Sequence, residues 1–127
     1  MNSLIRRISA NGGLVVLAAL AVLTDEGAYC LPGVDLLTPT GSAELDLLGW
    51  AGAELHAGEA KMTHRGFTDV NRDLRASVLV GADIHLAICL DHMPASKRKL
   101  IAEESHRAGL QVRILDAGDL LLPMDKI

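Results

Sequence analysis

An α/β fold in a single domain is the reading this sequence supports, and three observations carry it. Short apolar runs of strand length alternate with longer stretches of helical spacing along most of the 127 residues. Two amphipathic stretches, 67–80 and 94–108, each precede a run of strand type, 83–90 and 111–115. Half of the residues are apolar, yet there is one Trp, one Tyr and one Phe, so one core must be built from Leu, Val, Ile and Ala.

Residues 11–26 are rich in Ala and Leu and stop near Gly27, which predicts a helix that is apolar nearly all round. Such a helix needs cover on several sides or a partner. Residues 28–36 predict a first strand, interrupted at Pro32-Gly33, and Thr38-Pro39-Thr40-Gly41-Ser42 predicts a turn. A hairpin follows, with strands over 43–49 and 55–61 joined through Trp50-Ala51-Gly52. Within 67–80, Phe67, Val70, Leu74 and Val78 recur at spacings of three and four, the mark of one helix face, and Gly81 ends it. The mostly apolar 83–90 suits a central strand. Pro94 opens and Gly109 closes the helix over 94–108. Residues 111–115 form a last strand and 117–122 a final helical turn. The predicted order is α-β-β-β-α-β-α-β, with residues 1–127 as one domain.

A net charge of −4 does not suggest a general basic coat for nucleic acid. Phosphate contact must then come from local groups. The candidates are His64-Arg65, Arg72, Arg75, Lys97-Arg98-Lys99 and Arg6-Arg7. The scarcity of aromatics argues against a stacking platform for single-stranded bases. Cys30 and Cys89 are isolated in apolar contexts and read as core-filling thiols in a reducing, cytoplasmic setting. The apolar run from Leu14 to Leu23 is about ten residues, too short for a bilayer. His56, His85, His92 and His106 lack zinc-like spacing, and His85 reads as a core histidine. His64 reads either as a loop histidine or as a phosphate contact, and Lys97-Arg98-Lys99 either as a solvated helix start or as an anion site.

The most informative stretch is the hairpin. It reads Ala43-Glu44-Leu45-Asp46-Leu47-Leu48-Gly49, then Leu55-His56-Ala57-Gly58-Glu59-Ala60-Lys61 after the turn. Strand side chains alternate faces, so Glu44 and Asp46 share one face and Glu59 and Lys61 share another. Closing the hairpin brings three carboxylates and an ammonium together. Carboxylates and water are the ligands of hard divalent cations such as Mg²⁺.

This pattern resembles the restriction-endonuclease-like, or PD-(D/E)xK, nuclease superfamily. Asp46 matches its first acid and Glu59-Ala60-Lys61 its (D/E)-x-K, and the similarity runs from about Leu14 to Leu121. The resemblance implies an αβββαβ core, a central mixed sheet flanked by helices, with one further helix and strand appended. It implies a Mg²⁺- or Mn²⁺-dependent nuclease, a hydrolase of phosphodiester bonds in DNA. Asp46, Glu59 and the Ala60 carbonyl would hold the metal, and Lys61 would act on the attacking water. The family often carries another acid on its first helix. Here that helix has none before Asp25 and Glu26, which leaves Glu26 as an additional candidate. Glu44 is a third ligand, an outer-shell group or a solvated neighbour. Duplex cutting and the apolar first helix together imply a homodimer or a partner-bound state. A reading from another class is a non-catalytic nuclease-like module that binds a protein partner or a nucleic-acid end.

Overall fold

The computed structural model describes residues 13–39 and 41–120. Arg6, Arg7 and the predicted helix ends at 11–12 and 121–122 lie outside them. The described chain is α/β: a five-stranded mixed sheet with four α-helices and one short 3₁₀ turn. In chain order these are α1 (Gly13–Asp25), β1 (Tyr29–Thr38), β2 (Gly41–Ala51), β3 (Glu54–Lys61), the 3₁₀ turn (His64–Gly66), α2 (Val70–Leu79), β4 (Ile84–Cys89), α3 (Ala95–Arg107), β5 (Gln111–Leu115) and α4 (Ala117–Leu120). The strands lie side by side in sequence order. β1–β2 and β2–β3 are antiparallel, while β3–β4 and β4–β5 are parallel. The predicted element order is borne out.

The sheet is covered on both faces because β4 is apolar on both. Its Leu86 and Ile88 join Leu47, Ala60 and Leu115 in a cluster under Val15, Val16, Ala19 and Leu23 of α1. Its Ala87 and Cys89 pack with Phe67, Val70, Leu74, Met93, Ile101 and Leu110 on the side of α2 and α3. This double burial is the usual setting of parallel strands. Both cysteines are free, with Cys89 buried and Cys30 half-buried, as core-filling thiols would be. His85 is fully buried with its Nδ1 2.7 Å from the Ser77 hydroxyl. Burial pushes its pKa down to about 4, so the ring is a neutral core histidine.

Four local features differ from the sequence expectation. Pro32 does not end β1, which continues as one strand to Thr38, although its pairing with β2 skips Gly33 at φ +61. An outer strand can hold a proline because its free edge needs no donor there. The hairpin turn lies one step later than expected: Ala51 pairs with Glu54, leaving Gly52-Ala53 as a two-residue loop with Gly52 at φ +62. The second helix begins at Val70, because Asp69 caps it by accepting from the Arg72 amide at 3.0 Å. Val78 is exposed, and the inward stripe is Val70, Asp73, Leu74 and Ser77. α1 is likewise less covered than a fully apolar helix requires, since Leu14 and Leu17 face outward. Among the described residues no helix is long and apolar enough to cross a membrane.

Candidate active site

The site is built where β2 and β3 part company. Their ladder runs from the turn to Leu47 opposite Gly58 and stops there. One step further in the same register, Asp46 would come opposite Glu59. The next main-chain bond would need a β2 carbonyl for the Ala60 amide. Instead the Asp46 carboxylate accepts that N–H through Oδ2 at 2.8 Å. A side chain has replaced a ladder bond, and the strands diverge around it. In an extended strand the N–H and C=O of one residue point to the same side. The Ala60 carbonyl therefore also points toward Asp46, beyond the last rung of the ladder.

The divergence opens a cleft of about 860 Å³. Its floor is Asp46, Glu59, Ala60 and Lys61. One wall is the end of the β1–β2 arm, with Thr38, Gly41, Ser42, Ala43 and Glu44. The other wall is α2, with Arg72, Asp73, Arg75, Ala76 and Leu79. Met62, Thr63 and Gly66 form the rim.

Electrostatically the floor is short of positive charge. Glu59 is only 8 % exposed. Burial, the neighbouring Asp46 charge, a hydrogen bond shared with Asp46, and the charge of Asp73 raise its pKa to about 9, against a smaller pull from Lys61. Without a cation, burial beside the Asp46 charge thus favours the protonated form of Glu59 at neutral pH. Asp73 is also raised, chiefly by burial, with Lys61 and Arg72 opposing. A cation placed between Asp46 and Glu59 would take over the role of that proton.

The donor set fits a hydrated Mg²⁺-like ion better than a closed cage. Among the described residues no three His, Cys, Asp or Glu side chains are arranged to hold a metal together. Two carboxylates and one main-chain carbonyl remain. That is how Mg²⁺, which keeps several waters, is usually bound. The three hairpin carboxylates Glu44, Asp46 and Glu59 form no such group among the described residues. Glu44 lines the cleft and is solvent-exposed on the arm.

Other residues named from the sequence lie elsewhere. Glu26 forms a two-pronged ion pair with Arg113, both contacts 2.7 Å, at the end of α1. Its charge acts on His56, near the start of β3 and far along the strand from Lys61. Lys97 donates to the Phe67 carbonyl at 3.0 Å. Arg98 donates to the Met93 carbonyl at 3.1 Å and pairs with Asp116. Both hold loops together, and Lys99 sits 4.0 Å from Glu103 on an exposed helix surface. His64 is held by Asp91, which accepts from its amide at 2.8 Å and lies 2.6 Å from its ring Nδ1. Burial works against the Asp91 charge, but the His64 hydrogen bonds keep its pKa below the usual range. Neither His64 nor Arg65 lines the cleft, whereas Arg72 and Arg75 do, without an ion-pair partner among the described residues.

The His64–Asp91 contact fixes the 3₁₀ turn, and the turn fixes Lys61. A Cβ at Gly66 would lie 2.8 Å from Lys61 Cβ and 3.0 Å from its Cγ. The turn backbone therefore lies flat against the lysine stem. Sequence reading missed Gly66 and Asp73. Nothing in the local pattern of 64–66 signals a contact with Lys61, and Asp73 resembles a solvated helix position. In comparisons with known proteins, no family model matches the chain and no curated protein matches it.

Two outcomes follow from this geometry. Glu59 has its folded pKa raised above the unfolded value, so the folded state holds the extra proton. Stability of the metal-free protein should then fall as pH rises from about 5 toward 9, by at most about 1.4 kcal/mol per pH unit. Glu59→Gln should flatten that slope in denaturant unfolding, and an unchanged slope would contradict the burial argument. Gly66→Ala should cost about 1–3 kcal/mol by overpacking, since Cβ and Cγ sit too near the backbone to yield. That cost should vanish in a Lys61→Gly background, and equal costs in both would show that the contact is not made.

Proposed function

We propose that this protein is a Mg²⁺- or Mn²⁺-dependent nuclease of the PD-(D/E)xK type that hydrolyses phosphodiester bonds in DNA. One observation carries the reading: Asp46 and Glu59-Ala60-Lys61 meet on the floor of a cleft at the fork of two strands. The order α1-β1-β2-β3-α2-β4 also runs as the αβββαβ core of that superfamily does. Arg72 and Arg75, one turn apart on the cleft wall, give the backbone phosphates a positive surface despite the negative net charge.

Phosphodiester hydrolysis has a high intrinsic barrier, and enzymes remove on the order of 8–23 kcal/mol from such reactions. A bound Mg²⁺ supplies charge to the phosphoryl oxygen and acidifies water. Asp46, Glu59 and the Ala60 carbonyl would hold it. The protein's own groups do the rest. The Ala60 amide fixes the Asp46 carboxylate, burial keeps Glu59 dependent on a positive neighbour, and Lys61 donates to the attacking water. Arg72 and Arg75 meet flanking phosphates. The proposal includes a second copy or a partner protein over α1, whose exposed Leu14 and Leu17 form part of an uncovered apolar side.

One observation favours the non-catalytic alternative. The absence of a three-carboxylate group among the described residues leaves the metal fewer protein ligands than a dedicated cage would supply. Metal binding separates the two readings. Mn²⁺ should raise the melting temperature of the parent, and Asp46→Asn should abolish that rise.

The direct test is cleavage of supercoiled, linear, single-stranded and branched DNA with Mg²⁺, Mn²⁺ or chelator. Asp46→Ala, Glu59→Ala and Lys61→Ala should each lower turnover by about 100-fold or more while the fold survives. Double variants should lose little beyond the singles, because the three act as a unit. Arg72→Ala and Arg75→Ala should mainly weaken binding and reduce its salt dependence. Near-parental cleavage by folded Lys61→Ala would refute the assignment.

A further inference from the structure

The cleft holds one acid that the reading above leaves without a role. Asp73 projects from α2 into the cleft and is only 6 % exposed. Its carboxylate has no hydrogen bond or ion pair among the described residues. Its oxygens are not sealed in the core but open to the cleft, where water can reach them. Lys61 is the foremost cation acting on it, yet the two form no direct ion pair. Both side chains line the same cleft.

The other groups of the cleft are excluded as proton acceptors one by one. Asp46 has an oxygen engaged by the Ala60 amide, and burial beside Asp46 favours a protonated Glu59 that has no base to offer. The Lys61 ammonium only donates. Glu44 stands on the exposed arm. Asp73 alone combines enclosure with unused lone pairs.

Building on the nuclease reading, we propose that Asp73 is the general base of the site, accepting the proton of the water that Lys61 orients. In this step a water O–H bond breaks and its proton passes to the Asp73 carboxylate. The water oxygen forms a bond to phosphorus as the ester P–O bond breaks. The leaving oxygen departs with the electron pair and takes a proton from solvent. Asp73 returns its own proton to solvent. The chain thus has its additional acid on its second helix, facing the site from the wall opposite the arm.

The test compares the parent with Asp73→Asn and Asp73→Ala. Asp73→Asn keeps the shape but cannot take a proton. Its kcat with Mg²⁺ should fall by about 100-fold, with KM within about twofold of the parent. Without metal its melting temperature should equal or exceed the parent's, because a charge that burial disfavours has gone. The rise in melting temperature on adding Mn²⁺ should match the parent's, since Asp73 is not a ligand. Formate should restore turnover to Asp73→Ala in a concentration-dependent way, a result that a structural role would not give. If Asp73→Asn does not fold, formate rescue of Asp73→Ala decides alone. Parental kcat in Asp73→Asn, loss of its Mn²⁺ response, or no formate rescue of folded Asp73→Ala overturns the role of Asp73 while the nuclease reading stands. A parent that neither cleaves nor responds to Mn²⁺ overturns both.

Discussion

Everything at the candidate site depends on one hydrogen bond, from the Ala60 amide to the Asp46 carboxylate. Two antiparallel strands normally satisfy each other's main chain along their whole paired length. Here β2 leaves β3 after Leu47, and an unpaired, half-buried N–H would be the consequence. The Asp46 side chain removes that penalty and permits the strands to open. The opening creates the cleft, turns the Ala60 carbonyl into it, and sets Asp46 beside Glu59. Fold and site are therefore the same feature. A residue that could not accept at this position would close the fork or leave it unsatisfied.

The second constraint is electrostatic. Asp46, Glu59 and Asp73 share an enclosed floor and wall with Lys61, and Arg72 stands beside them. The charges do not balance inside the protein, so Glu59 retains a proton. Structural ion pairs elsewhere are neutralised directly: Glu26 by Arg113, Asp116 by Arg98, Glu104 by Arg107. The imbalance is local to the cleft. Such concentrations of perturbed carboxylates are typical of sites that work on a charged ligand. The negative net charge of the chain arises partly there, and Arg72 and Arg75 on the cleft wall are the cations proposed to meet phosphates.

Much of this was legible in the sequence, and the limits are physical. The alternation of Glu44-Leu45-Asp46-Leu47 and His56-Ala57-Gly58-Glu59 reveals faces and partners, because strand periodicity is local. The apolar 83–90 announces a strand buried on both sides. Asp73 was not legible, since a polar residue between Val70 and Leu74 looks solvated until β2 and β3 are seen to leave space beneath it. Ser77 was hidden for a similar reason: its partner His85 comes from another element. Lys97 and Arg98 looked like a free basic run. Their acceptors, the Phe67 carbonyl and Asp116, lie far away in sequence. Gly66 is a glycine because of Lys61, a contact between a 3₁₀ turn and a strand end that no local pattern encodes.

The central claim is that a divalent cation takes the place of the proton that burial beside Asp46 keeps on Glu59. Titration calorimetry with Mn²⁺ in buffers of different ionisation enthalpy measures this directly, because it counts the protons released on binding. At neutral pH the account predicts release of about one proton per ion, as required when a protonated carboxyl becomes a ligand. Binding without proton release, or no binding at millimolar Mn²⁺, would contradict it.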